Sequence, residues 1–253
     1  MKTENEQYIF GTRAVIEAIG ANRVIDKILI KYDLSSDVRK EITDIARSNA
    51  IPVQRVPLER LNRITRKNHQ GVIAFIAAVD YWKLEDLIPS LYEDRVVPFV
   101  VVLDGVTDVR NFGAIARTCE CAGVNAIVIP EKNSVCVNAD AVKTSAGALN
   151  YLPVCREKNV VSAIEILRNN GFAIVGSSDR TETDYTSVDY TVPTAIVLGG
   201  EDNGISTDVK NMCDRLVRIP EFGEINSLNV SVAGGILIYE VVRQRLKNNL
   251  MVE

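Results

Sequence analysis

Three stretches of the chain gather amide, hydroxyl, carboxylate and guanidinium side chains beside glycines. The first is Asp-Gly-Val-Thr-Asp-Val-Arg-Asn-Phe-Gly-Ala-Ile-Ala-Arg at 104–117. Asp104 and Asp108 have a sufficient structural role there as turn and cap residues. Asn111 and Arg117, six residues apart at the opening of a helix, exceed what a cap requires, and Gly113 lets a backbone or a ligand come close. The second stretch is Leu-Gly-Gly-Glu-Asp-Asn-Gly at 198–204. Gly199 and Gly200 let the backbone turn sharply and lie against a ligand. The pattern is neither Gly-x-Gly-x-x-Gly nor a P-loop, so it does not read as a phosphate cradle. Glu201 is either an anchor for neighbouring backbone N–H groups or an active-site carboxylate. The third stretch, 219–231, runs Ile-Pro-Glu-Phe-Gly-Glu-Ile-Asn-Ser-Leu-Asn-Val-Ser into the last helix. Asn226 and Ser227 suit a helix N-cap. Together with Asn229 and Ser231, however, they outnumber the groups one helix start uses. The alternative is a concave site with a few fixed polar groups.

Each stretch follows a strand that is apolar on both faces. Such strands are expected at 99–103, 126–129, 172–175 and 194–198, with shorter ones at 152–155 and 216–219. Helices at 113–122, 139–149, 160–169 and 206–213 separate most of them, and a long helix over 228–246 closes the chain. This alternation predicts an α/β fold with a parallel sheet covered on both sides. Ligands of such sheets bind outside the carboxyl ends of the strands, where the three stretches lie. The first 80 residues form a separate α/β unit, with helices at 11–19, 35–48 and 58–65 and strands at 27–31, 52–56 and 72–79. A polar segment with Pro89 and Pro98 reads as a linker over 81–98, leaving 99–253 as the second domain.

Composition excludes several classes. The chain is 47% hydrophobic and 25% charged, with a net charge of −4. Its longest apolar run, 72–79, falls far short of the ~20 residues that span a bilayer. The start, MKTENEQ, lacks the apolar core of a secretion signal, so a cytoplasmic protein without membrane contact is expected. The five cysteines form no Cys-x-x-Cys pair, and His69 is the only histidine. Neither a disulfide framework nor a metal site is expected, and Cys119 and Cys121 read as packing residues. Charge is unevenly spread. Residues 1–80 carry 13 Lys+Arg against 10 Asp+Glu, and the remainder 16 against 23. The basic excess lies in the N-terminal unit, around Arg60, Arg63, Arg66 and Lys67.

The three stretches, in this order, resemble the three sequence motifs of the SpoU (TrmH) branch of the SPOUT methyltransferases. Asn111, Gly113, Ile115 and Arg117 fit Asn-x-Gly-x-Ile-x-Arg. Gly199, Glu201 and Gly204 fit Gly-x-Glu-x-x-Gly. Residues 227–231 fit Ser-Leu-Asn-Val-Ser, and the following helix continues the match. Residues 8–18 and Asn68-His-Gln-Gly-Val resemble the beginning and end of the family's substrate-binding domain, a small ribosomal-protein-like α/β unit. One departure is visible: Val109 stands where the family usually has proline.

The resemblance implies a parallel-sheet domain with a C-terminal trefoil knot that holds S-adenosylmethionine against Gly199, Gly200, Ile219 and Leu228. It implies a reaction site of Asn111, Arg117, Glu201, Ser227 and Asn229 that needs no metal. It also implies a homodimer with the active site near the subunit interface. The substrate it implies is a ribose 2′-hydroxyl, of guanosine, in structured RNA. The match is nearest the RlmB-type 23S rRNA enzymes, while tRNA enzymes share the motifs. Two other readings remain. A non-catalytic RNA-binding assembly protein would bind RNA without cofactor. A Rossmann-type nucleotide enzyme would need the glycine fingerprint that is missing.

Overall fold

The structure, a computed structural model, describes residues 8–93, 97–201, 203–224 and 227–250. Two units partition the chain, Met1–Asp80 with Cys136–Asp140, and Tyr81–Val135 with Ala141–Glu253.

In the first unit the order is β1 (Tyr8–Phe10), α1 (Thr12–Gly20), β2 (Ile25–Lys31), α2 (Ser36–Ser48), β3 (Val53–Val56), α3 (Leu58–Ile64) and β4 (Val72–Ile76). The sheet order is β1-β4-β2-β3, antiparallel except for the β2–β3 pair. In α1, Val15, Ala18 and Ile19 recur at helical spacing and are buried, which is why this segment is a helix rather than a strand. Alternation along the strands serves two cores. Ile28, Ile30, Val72 and Ala74 pack with α1 and α2 on one face. Leu29, Val56 and Ile73 pack with Leu61 of α3 on the other. Strand β1 lay outside the expected elements, because three residues are too few to show an alternation. Buried His69 accepts the Gly71 N–H at Nδ1 (3.0 Å), and its Nε2 is 2.9 Å from Asn62 Oδ1. It fixes the turn in which Gln70 and Gly71 have φ of 53° and 81°.

The second unit holds β5 (Tyr81–Trp82), α4 (Leu84–Glu93), β6 (Phe99–Asp104), α5 (Val109–Cys121), β7 (Ala126–Pro130), α6 (Ala139–Thr144), β8 (Val154–Glu157), α7 (Val160–Asn169), β9 (Ala173–Ser177), β10 (Thr194–Gly199), α8 (Thr207–Lys210), β11 (Arg215–Val217) and α9 (Val230–Lys247). Its seven strands run in the order β11-β9-β10-β6-β7-β8-β5, and every pair is parallel. The parallel α/β core read from the apolar strands is therefore present. The expected linker is not what 81–93 forms. Tyr81 and Trp82 add an edge strand to β8, and Leu84, Leu87, Ile88 and Leu91 are buried on α4. Pro89, taken as a break, sits inside that helix. Cys119 and Cys155 are buried packing residues, but Cys121 is exposed.

Helix α9 is tied to both ends of the sheet. Near its start Gly234 lies against Leu198, where an added Cβ would come within 2.8 Å of Cδ1. Near its end Arg245 is 5% exposed. Its guanidinium donates to the carbonyls of Val97 (2.6 Å), Pro98 (3.1 Å), Tyr190 (3.1 Å) and Val192 (3.0 Å). Those carbonyls precede β6 and β10, so one side chain clamps the entry points of both central strands. Burial pulls the guanidinium down to about 10. One turn earlier, Glu240 accepts from Arg243 and Gln244.

Arg245→Met would take the guanidinium donor from the Val97 and Tyr190 carbonyls, while those of Pro98 and Val192 keep a bond from Thr194. A loss of roughly 3–5 kcal/mol is expected, read as a lower urea midpoint at unchanged slope. Hydrogen bonds from Arg243 hold the Glu240 carboxyl below its ordinary value of 4.5. Its contribution is therefore complete above that value and is lost as pH falls through the lower folded value. Glu240→Gln should accordingly show a shallower loss of stability on acidification than the parent chain.

Candidate active site

The three motif stretches meet at the carboxyl ends of β6, β10 and β11. Asp108 caps α5, accepting from the N–H groups of Arg110 (2.8 Å) and Asn111 (3.0 Å). The bond from Asn111 leads the causes that hold its carboxyl below the usual range. Val109 is the first residue of α5, a position where proline loses no needed N–H and presets φ. Asn111 thus stands in the first turn, not at the helix start expected from sequence. Gly113 is close-packed, but against Thr144 of α6 rather than a ligand.

Beyond β10 the chain turns back on itself. Gly200 N–H donates to Asp104 O (2.9 Å), and Gly204 N–H donates to Gly200 O (2.9 Å). A Cβ on Gly199 would overlap the backbone of Gly204 and Ile205, and one on Gly200 would stand 2.5 Å from Gly105 O. Here glycine is demanded by a crossing of backbones. Asp104 locks the crossing from below by accepting the Ser206 N–H at 2.7 Å.

That turn delivers Glu201 to the starts of two helices. Its Oε1 accepts from Asn111 Nδ2 (2.6 Å) and from Asn229 Nδ2 (3.0 Å). Asn229 also donates to Asn111 Oδ1 (3.0 Å). Its own Oδ1 accepts from the N–H (2.9 Å) and the hydroxyl (2.6 Å) of Ser231, which caps α9. The cap of the last helix is therefore Asn229, not Ser227; Asn226 lies outside the described residues. Of the two readings of Glu201, the anchor is realised through side-chain amides rather than backbone N–H groups. Both bonds use Oε1, and Oε2 has no hydrogen-bond partner among the described residues.

Two clefts flank Glu201. The larger, about 720 Å³, is lined by Gly199, Gly200, Glu201, Ile219, Ser227, Leu228 and Asn229, and on its other wall by Ser178, Arg180 and Lys210. The smaller, about 140 Å³, is lined by Asp104, Thr107, Asp108, Asn111, Glu201 and Val230. Leu228, 40% exposed, presents an apolar side chain to the larger cleft. Eight of the nine residues singled out from sequence therefore line one cleft or the other. Arg117 is the exception. It is exposed on α5, lines neither cleft and has no hydrogen-bond or ion-pair partner among the described residues. The wall at 177–180 and Lys210 were missed from sequence. The 177–180 segment follows β9, so the rule that directed attention to strand ends applied to it too. Among the described residues no three of His, Cys, Asp and Glu gather as a metal site, and no helix is long and apolar enough to cross a membrane.

Comparison with known proteins decides the family. Residues 98–239 match the model of the SpoU rRNA methylase family. The chain belongs to that family. Residues 8–82 also match a model described as RNA 2′-O ribose methyltransferase substrate binding, so the first unit is the family's substrate-binding domain. A TrmH family tRNA/rRNA methyltransferase of Staphylococcus saprophyticus is 39% identical over 95% of this chain and 96% of its own length. One named YacO, of Bacillus subtilis, is 34% identical over 96% of this chain and 98% of its own. Among solved structures, an AdoMet-bound rRNA methyltransferase from Sinorhizobium meliloti is similar at a TM-score of 0.60 and 25% identity, covering 93% of this chain and 86% of that one. The SpoU protein is thus an RNA methyltransferase of the TrmH kind.

The backbone crossing yields a test. Gly199→Ala should cost more than about 2 kcal/mol, because backbone must move to admit the methyl group. Gly204, with φ of 61° and open space around its Cβ position, should cost about 1 kcal/mol as alanine. Thermal unfolding of the two variants checks the order, and equal losses would contradict the crossing.

Proposed function

We propose that this SpoU protein transfers a methyl group from S-adenosylmethionine to the 2′-hydroxyl of a guanosine ribose in 23S rRNA. The observation that carries the reading is the Asn111–Glu201–Asn229 network on the border between two clefts. The larger cleft suits the cofactor. Leu228 and Ile219 offer apolar surface for an adenine, and the glycine backbone at 199–200 admits a flat ligand without side-chain obstruction. The Sinorhizobium neighbour, crystallised with AdoMet, supports the same assignment. When bound there, S-adenosylmethionine supplies an already activated methyl group. The residues of this chain then have two tasks, to position the hydroxyl and to receive its proton. Asn111 and Asn229 fix the Glu201 carboxylate, leaving Oε2 to accept a hydrogen bond from the ribose hydroxyl. Ser227, at the wall of the larger cleft, orients the reacting groups. Arg117 holds an RNA phosphate: an arginine keeps its charge and makes a forked contact that suits phosphate.

The N-terminal domain brings the RNA, in keeping with the substrate-binding description of its matching model. The choice of rRNA follows the name of the family model; the relatives' names include tRNA as well. Pairing as a homodimer through α9 is supported by Val232, Tyr239 and Leu246, each at least 49% exposed and seven residues apart on that helix. On this reading the cofactor cleft lies within the knotted C-terminal segment that the resemblance implies.

Isothermal titration should show S-adenosylmethionine binding without added metal, and Leu228→Glu should abolish it by setting a charge against the adenine. Arg117→Ala should lose most methyl transfer while cofactor affinity survives. Mapping 2′-O-methylation in total RNA with and without the gene identifies the target, and a lost tRNA methylation would replace rRNA as the substrate. A protein that binds RNA but neither S-adenosylmethionine nor its demethylated product would instead be a non-catalytic RNA-binding protein.

A further inference from the structure

The outer face of the N-terminal sheet carries aromatic and cationic side chains that its own core does not use up. Tyr8 and Phe75 are direct partners across β1 and β4, and Lys27 faces Phe75 from β2. Phe10 lies two residues beyond Tyr8, hence on the same face. The Tyr8 ring centroid is 6.3 Å from that of Phe75 and 6.4 Å from that of Phe10. Helix α3 closes the neighbouring part of this face over Leu29, Val56 and Ile73. It leaves the three adjoining rings partly open to solvent.

Lysine ammonium groups stand over two of these rings. Lys27 Nζ is 5.5 Å from the Phe75 centroid, and Lys67 Nζ is 5.8 Å from that of Phe10. Lys67 ends the run 58–67, in which Arg60, Arg63, Arg66 and Lys67 face only one acid, Glu59, and all five are exposed. The basic segment found in the sequence and the aromatic face found in the structure thus adjoin through α3.

Adjoining, partly open rings with lysines over them suit a run of unstacked nucleobases, each base taking the place over a ring and the displaced ammonium group turning to a phosphate. Bases stack on the rings, and the phosphates that connect them meet the cations. A duplex hides its base faces and could use only the charges. We infer that this face binds an unpaired stretch of the substrate RNA. Its bases lie on Phe75, Tyr8 and Phe10, and its phosphates lie on Lys27 and Lys67. The inference rests on the reading of this chain as an RNA methyltransferase and adds that its N-terminal domain recognises single-stranded rather than helical RNA. A site for the basic tail of another protein would not place lysines around the rings.

The test is fluorescence anisotropy of the full chain with a short unstructured RNA oligonucleotide and with a blunt duplex of equal length. The double variant Phe10→Leu with Phe75→Leu keeps apolar volume but removes the rings. It should weaken single-strand binding about tenfold and leave duplex binding and S-adenosylmethionine affinity unchanged. The variant Lys27→Gln with Lys67→Gln, which removes both charges and keeps polar side chains, should lower the log–log salt slope by about 0.7 per lysine. Ultraviolet crosslinking of the unaltered protein should place RNA on peptides containing residues 8–10 or 72–76, a readout that needs no variant to fold. Equal losses for duplex and single strand, or parental affinity in the ring variant with crosslinks elsewhere, would overturn the inference while leaving the methyltransferase reading intact. Cofactor binding with no RNA binding at all would overturn both.

Discussion

Everything at the carboxyl end of the sheet depends on where one carboxylate is held. Glu201 Oε1 joins Asn111, 90 residues earlier in the chain, to Asn229, 28 residues later. Both amides belong to helix starts: Asn111 lies in the first turn of α5, and Asn229 caps α9. The carboxylate therefore faces the positive ends of two helices, each worth about 0.3–1 kcal/mol to an anion at an exposed site. For it to reach both, β10 must end in a turn tight enough to lie against the loop after β6. Glycines at 199 and 200 permit this, since a Cβ at either would meet backbone. The family's Gly-x-Glu pattern is in this sense one mechanical unit. The glycine allows the crossing, and the glutamate fastens what the crossing brings together.

Helix α9 transmits that arrangement through the domain. It begins at the carboxyl ends of the strands with Asn229 and reaches their entry points with Arg245, whose guanidinium ties the approach to β6 to the approach to β10. A helix built for this work cannot follow a simple amphipathic pattern. It buries Glu240 and Arg245 while Val232, Tyr239 and Leu246 stay exposed. The buried charges are sustained by hydrogen bonds within this chain. The exposed apolar side chains have no such account within one chain; on the proposed reading a second copy covers them.

Much of this organisation was legible before any coordinates. The apolar strands announce a parallel sheet because a strand covered on both faces cannot alternate, and the polar excess after β6, β10 and β11 announces the site. What was not legible has specific causes. Pro89 and Pro98 mask α4, although Leu84, Leu87, Ile88 and Leu91 have helical spacing, because a proline marks a break as readily as it sits within a helix. Ser227 suits a cap by residue type, yet Asn229 fills the position, and only its bond from the Ser231 N–H shows this. Gly113 read as an opening for a ligand; its neighbour is Thr144, and no local pattern encodes which helix will pack there. The wall at 177–180 lies at a strand end as the other stretches do, but Ser-Ser-Asp-Arg holds no glycine to single it out.

The same geometry explains why amides, not acids, stand at 111 and 229. A carboxylate can only accept hydrogen bonds, so Glu201 must be surrounded by donors. Aspartate at either position would offer a second acceptor within bonding distance of the first and a like charge beside it, and one of the two would have to take up a proton or move away. Asparagine offers a donor at one end and an acceptor at the other, and both residues use both ends. Asn111 donates to Glu201 and accepts from Asn229. Asn229 donates to Glu201 and accepts from Ser231. The network thus runs in one sense, from the first turn of α9 through two amides to a single carboxylate oxygen. Its other oxygen remains the terminal acceptor on the border of the two clefts, and on the proposed reading that is where a ribose hydroxyl would be met.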